Sequence, residues 1–148
     1  MMKRLWKLEE LMEHFTLLPD EKALLANKSG SNRLGFAVLL KFFQMEARFP
    51  LSKQEVAKPV VAFIAKQVEV SAKQYREYEW LGSTFVYHRA QVRAFFGFRE
   101  ATVLDAQDLT EWLGQKVLAF EQQEAHLQET VYQRLRSLKI EPPTLIAD

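Results

Sequence analysis

The stretch Ser31–Pro50, SNRLGFAVLLKFFQMEARFP, decides how this chain must be read. Leu34, Phe36, Val38, Leu39, Leu40, Phe42, Phe43 and Met45 are apolar. At about 100° per residue they cover most of a helical circumference, and a helix that is hydrophobic nearly all round belongs at the centre of a fold. Ser31 or Asn32 is placed to cap its start. Pro50 disfavours helix at the residue before it, so the helix is expected to end at about Ala47. One polar strip remains: Arg33, Lys41, Gln44 and Arg48, within about 80° of one another on the wheel. Any core helix needs a solvated face, and the strip serves as one. It also reads as a surface for a polyanion, which its lack of acidic residues favours.

Working towards the N-terminus, a first helix is expected from about Leu5 to His14, with Leu8, Leu11, Met12 and Phe15 on its apolar side. Pro19 opens a short second helix with Asp20 and Glu21 at its positive end, and Lys28, Ser29 and Gly30 form the turn after it. Beyond Pro50, Ser52 and Glu55 read as a capped turn, Pro59 as the first-turn residue of a helix over Val60–Val68, and Ser71 as the cap of a helix through Tyr78. This pair resembles a helix-turn-helix unit, with Ile64, Ala65, Val68, Val70, Tyr75 and Tyr78 at the packing positions and Glu69 where glycine is common. Ala72, Lys73, Gln74 and Arg76 would then face a groove, while Glu77 and Glu79 would repel phosphate.

After a loop at Trp80–Ser83 comes Tyr87–Arg99, YHRAQVRAFFGFR, in which basic residues alternate with aromatics. Phe85, Val92 and Phe96 share one narrow face, Arg89 and Arg93 stack one turn apart beside it, and Gly97 suits a helix exit. Salt bridging to Glu77, Glu79 or the acidic C-terminal region and contact with phosphate are both open for these arginines. His88 lies near the apolar stripe, where a structural role, partly buried and bonded to backbone, is favoured over a phosphate contact. Thr102 and Asp105 open a helix through Leu109, Trp112, Leu113, Val117 and Phe120. A last helix carries Leu127, Val131, Leu135 and Leu138 before Pro142-Pro143 ends it. Thr144–Asp148 resembles the opening of another helix, so the chain reads as a piece of a longer protein.

Composition agrees with helices throughout. The 148 residues are 48% hydrophobic, with 11 Phe and 3 Trp against only 5 Gly and 5 Pro, which predicts an all-α bundle of about seven to eight helices. Absent cysteine removes disulfides, thiolate catalysis and Cys-based zinc sites. The three histidines show no ligand spacing, and neither a phosphate loop nor a nucleophile elbow occurs. No catalytic residue, metal or cofactor is therefore expected here. Charges interrupt every apolar run, so neither export nor membrane insertion is expected, and a cytoplasmic location fits. Net charge is only +1, but Lys28–Arg99 holds twelve basic residues against five acidic ones, and the chain from Ala101 onward holds four against eight. A basic region over 1–100, in two parts at 1–50 and 51–100, and an acidic helical pair over 101–148 packed on it are expected.

The blocks LxxHFTLLPDEKALL, GSNRLGFAVLLKFFQMEARFP and YxWLGSTFVYHRAQVRAFFGFR resemble the N-terminal region of transposases of the Tn-three family of replicative transposons, over about Leu8 to Pro143. The resemblance implies a helical region with helix-turn-helix-like subdomains that binds double-stranded DNA at the terminal inverted repeats. It also implies that the DDE-type, Mg²⁺-dependent strand-transfer site lies in a part absent from this chain. Its partners would be the rest of the transposase and a second transposase copy, in a bacterial cytoplasm. Matching residues are Asn32, Arg33, Lys41, Arg48, His88, Arg89, Arg93 and Arg99; Lys28, Lys73, Gln74 and Arg76 complete the expected DNA-binding set. Thr84, Phe85 and Val86 depart from the basic loop expected ahead of the histidine. The competing reading is a helical interaction or oligomerisation module that touches no DNA.

Overall fold

A computed structural model of the chain describes residues 2–117 and 124–143. The expected Phe120 position and the Thr144–Asp148 helix lie outside them. Among the described residues the architecture is all-α, with one isolated bridge between Arg99 and Ile140. No described helix is long and apolar enough to cross a membrane. The chain divides into two compact units, Met1–Val92 and Arg93–Asp148.

The first unit is organised around one helix. In chain order it contains α1 (Leu8–Phe15), α2 (Pro19–Ala23), α3 (Gly30–Glu46), a 3₁₀ turn at Lys53–Glu55, α4 (Lys58–Val68), a 3₁₀ helix at Ala72–Glu77, and most of α5 (Ser83–Phe96). Every residue of α3 from Leu34 to Phe43 is buried, as its all-round hydrophobicity requires. Packed on α3 are α1, α4 and the 3₁₀ helix. Gln67 of α4 fastens α1, accepting from Leu17 N at 2.8 Å and donating to Phe15 O at 2.8 Å.

Two helices end on non-glycine residues in the left-handed region, Ala47 at φ 55° after α3 and Glu69 at φ 60° after α4. Glu69 adopts the conformation for which glycine is usual, at a cost of roughly 1–2 kcal/mol. Val70 N then donates to Ala65 O at 3.1 Å and closes the turn.

The segment expected to be an α-helix over Ser71–Tyr78 is instead a 3₁₀ helix over Ala72–Glu77, with Ser71 accepting from Lys73 N as its cap. In a 3₁₀ helix, residues three apart eclipse, so Tyr75 and Tyr78 turn to the same side. The Tyr75 hydroxyl donates to Lys53 O at 3.0 Å. The fully buried Tyr78 lies on Gly35 of α3, so closely that a Cβ there would stand 2.2 Å from Tyr78 Cγ. The helix-turn-helix resemblance therefore reduces to one α-helix, a left-handed turn and a 3₁₀ helix.

In the second unit, Thr102 and Asp105 open α6 (Val103–Trp112) as expected, and they do so as a capping box. A π-helical turn at Leu113–Val117 follows, and then α7 (Glu124–Ser137). Gly97, at φ 73°, ends α5 as expected, with Phe98 N donating back to Arg93 O at 2.8 Å. Leu109, Val131, Leu135 and Ile140 form the core. Leu138, expected on this stripe, is half exposed. Lys139 turns left-handed after α7, and Ile140, paired with Arg99 across the bridge, points inward in its place.

Gly35→Ala should destabilise the protein by about 1–3 kcal/mol, because the new methyl collides with a ring that backbone and helix hold in place. Urea unfolding checks this; a midpoint unchanged from wild type would show that the Tyr78 contact is not tight.

Candidate nucleic-acid interface

The polar strip of α3 does not face solvent, which corrects its reading as the one exposed, basic face of the core helix. Lys41 is only 3% exposed and Glu21 only 1%. Lys41 Nζ donates to Glu21 Oε1 at 3.0 Å and to Thr16 O at 2.9 Å. The partner missing from the strip comes from α2, twenty residues away, where the same Glu21 oxygen accepts from Leu18 N at 2.9 Å. Arg48 is likewise buried and grips both carboxylate oxygens of Glu55, one of them at 3.0 Å, with its guanidinium 5.2 Å from the Phe42 ring. Burial pushes the Glu55 carboxyl up, but hydrogen bonds from Arg48 and Leu51 more than offset this and hold it below the usual range. Arg33 donates to Val68 O at 3.0 Å and Leu25 O at 2.8 Å, tying α3 to the end of α4 and to the turn after α2. These three cations are internal fastenings.

The basic residues of α5 are similarly engaged. His88 is buried, stacked on Tyr78 with ring centroids 5.7 Å apart, and shares a 2.7 Å hydrogen bond between its Nδ1 and the Tyr78 hydroxyl. Its partner is thus a side chain, where backbone was expected. Burial, with the Lys28 charge added, lowers its pKa to about 4, so it is neutral at pH 7 and offers no charge to a phosphate. Lys28 itself lies 4.4 Å from the Phe36 ring and donates to Leu24 O at 3.2 Å, with burial lowering its pKa. The Arg89 guanidinium sits 5.0 Å from the Phe49 ring and 5.6 Å from that of Phe85. In the second unit, Arg93 bridges Glu141 at 3.0 Å and Glu100 at 3.2 Å. Arg99 forks onto Asp105 at 2.5 and 2.8 Å, and that hydrogen bonding holds the Asp105 carboxyl far below its ordinary value.

The exposed members of the expected set are Asn32, Lys73, Arg76 and Arg99, the last of these held on Asp105, with Gln74 half-buried beside Gly30. Lys73 and Arg76 line a groove of about 720 Å³ in the first unit, together with Arg4, Lys53 and Lys58. No acidic residue lines it. Two of these cations are positioned by backbone carbonyls: Arg4 donates to Gln54 O at 2.6 Å and Lys53 to Arg76 O at 2.9 Å. Glu55, the nearest acid in sequence to Lys53, is turned inward onto Arg48. Arg4, Lys53 and Lys58 were not singled out in the sequence, because they fall on three separate elements with no shared helical period. The available signal was the charge count: Lys53 and Lys58 belong to the basic middle of the chain, yet neither lies on an amphipathic stripe. Among the described residues no cluster of three or more His, Asp and Glu is arranged to hold a metal.

Lys41→Met, which leaves Glu21 buried without its cation, should cost about 3–5 kcal/mol in chemical denaturation. Adding Glu21→Gln should restore most of that loss, since a neutral amide still accepts from Leu18 N. A Lys41→Met protein as stable as wild type would show that the ion pair is not buried as described.

The chain is similar to two transposases of Escherichia coli. It is 26% identical to the transposase for transposon Tn3926 over 96 residues, and 30% identical to the transposase for transposon Tn21 over 100 residues. Each match covers 64% of this chain, which spans about 10% of either relative's length. The resemblance to Tn-three family transposases read from the sequence blocks is upheld. A family described as Domain of unknown function (DUF4158) matches residues 1–146, and the chain belongs to that family.

Proposed function

We propose that the chain is a double-stranded DNA-binding part of a transposase that recognises the terminal inverted repeats of its element during replicative transposition. The observation that carries this reading is the groove lined by Arg4, Lys53, Lys58, Lys73 and Arg76 with no acid among its lining residues, in a chain similar to transposases. Phosphate contacts fix a protein on duplex DNA, and base contacts made from that position supply specificity. Lys58, Lys73 and Arg76 are exposed and are the residues proposed to meet phosphate. Asn32, exposed in the first turn of α3, is proposed as a further polar contact. Arg33, Lys41 and Arg48 leave the proposed contact set, because phosphate would have to displace partners that hold the core together. On this reading the chain acts on cytoplasmic DNA, and strand-transfer chemistry belongs to other parts of such a transposase.

Each phosphate neutralised on B-form DNA contributes about 0.9 to the slope of log affinity against log salt. Replacing Lys58, Lys73 and Arg76 together by alanine should weaken binding to a terminal-repeat duplex and lower that slope by up to about 3 units. Fluorescence anisotropy over a salt series measures both. Unchanged affinity and slope in the folded triple variant would refute the assignment. A protein that shifts no duplex at moderate salt but self-associates in light scattering would favour an interaction module.

A further inference from the structure

The basic groove has a second property that phosphate contact alone leaves unused. Beneath its cations the surface is apolar: Val56, Val61 and Ala62 line it together with Tyr75. The Tyr75 hydroxyl donates inward to Lys53 O, so its polar end is satisfied and its ring remains as lining. At about 720 Å³ the groove falls within the range of about 300–1,000 Å³ typical of sites that enclose small ligands. Blunt B-form DNA offers such a floor only thymine methyls and sugar edges, because its base faces are stacked inside. A nucleotide out of the stack offers both parts at once, an apolar base face and a charged phosphate. Cationic grooves with an aromatic wall are the usual receptors for unpaired strands.

Resting on the DNA-binding reading above, we propose that this groove is a subsite for an unpaired nucleotide of the bound DNA. The base lies on the floor formed by Val61, Ala62 and Tyr75, and its flanking phosphates are held by Lys58, Lys73 and Arg76. The chain would then favour DNA in which a base is already free, as at a frayed end, a nick or a distorted step, because the unstacking cost is lowest there.

The test is fluorescence anisotropy of the full chain with three labelled probes of one sequence: a blunt duplex, the same duplex with a short unpaired stretch, and the single strand. The probe with the unpaired stretch should bind roughly tenfold or more tighter than the blunt duplex, as expected for one base gaining a stacking surface. Ala62 is an exposed position on α4, and glutamine there keeps helix propensity and charge while filling the floor. Ala62→Gln should abolish the preference for the unpaired probe and leave affinity for the blunt duplex within about twofold. Equal affinity for paired and unpaired probes overturns the subsite while leaving duplex binding intact. So does a preference that survives Ala62→Gln. Failure to bind any of the three probes overturns both the subsite and the DNA-binding reading, as does capture of an acidic amphipathic peptide to the exclusion of all DNA.

Discussion

The first unit depends on one close approach, the ring of Tyr78 lying where a side chain at Gly35 would stand. α3 is apolar nearly all round and must be covered on every side, and at Gly35 the cover is an aromatic ring against bare backbone. That contact draws the 3₁₀ helix onto α3 and, through the eclipsed positions Tyr75 and Tyr78, sets which way its remaining residues face. Lys73 and Arg76 are outward because the two tyrosines are inward. His88 stacks on the other partner of the same contact, Tyr78, and anchors the buried stripe of α5. Packing at one glycine thus orients both the groove cations and the helix that carries Arg89.

The same burial explains what becomes of the basic residues on α3. A cation taken from water must be matched by an acid or by several carbonyls, since an unmatched buried charge costs several kcal/mol. Lys41 and Arg48 meet Glu21 and Glu55, and Arg33 meets two carbonyls. Two of the twelve cations counted in the middle of the chain are therefore paired with acids inside the fold, and a third is taken up by backbone carbonyls. The outward cations include those of the turn, helix start and 3₁₀ helix around the groove, so a smaller and differently placed set of cations is available to a polyanion.

Most of the fold was legible in the sequence because its signals are local. All-round hydrophobicity marks α3, Pro19 and Pro59 mark helix starts, Thr102 and Asp105 mark α6, and Gly97 marks the exit of α5. The engagement of Arg93 by an acidic C-terminal residue was one of two readings left open, and Glu141 supplies it. The candidate interface was less legible, for a physical reason. A helical wheel tells which residues share a face, but not what element lies against that face. Glu21 and Glu55 are far enough along the chain from Lys41 and Arg48, or turned by an intervening proline, that spacing could not pair them. The 3₁₀ form of Ala72–Glu77 was hidden for the same reason, since its tyrosines pack against elements that the wheel does not show. Arg4, Lys53 and Lys58 converge only through tertiary packing.

The central claim is that DNA is met by the groove formed from Lys53–Glu55, α4 and Ala72–Glu77, while the cations of α3 and α5 hold the protein together. Backbone amide chemical-shift mapping of the isotopically labelled chain during titration with a terminal-repeat duplex addresses it most directly. The account predicts that the largest shifts cluster between residues 53 and 76, with those of Lys41 and Arg48 nearly unmoved. Shifts concentrated instead at Arg89 and Arg93, with residues 53 to 76 silent, would contradict it.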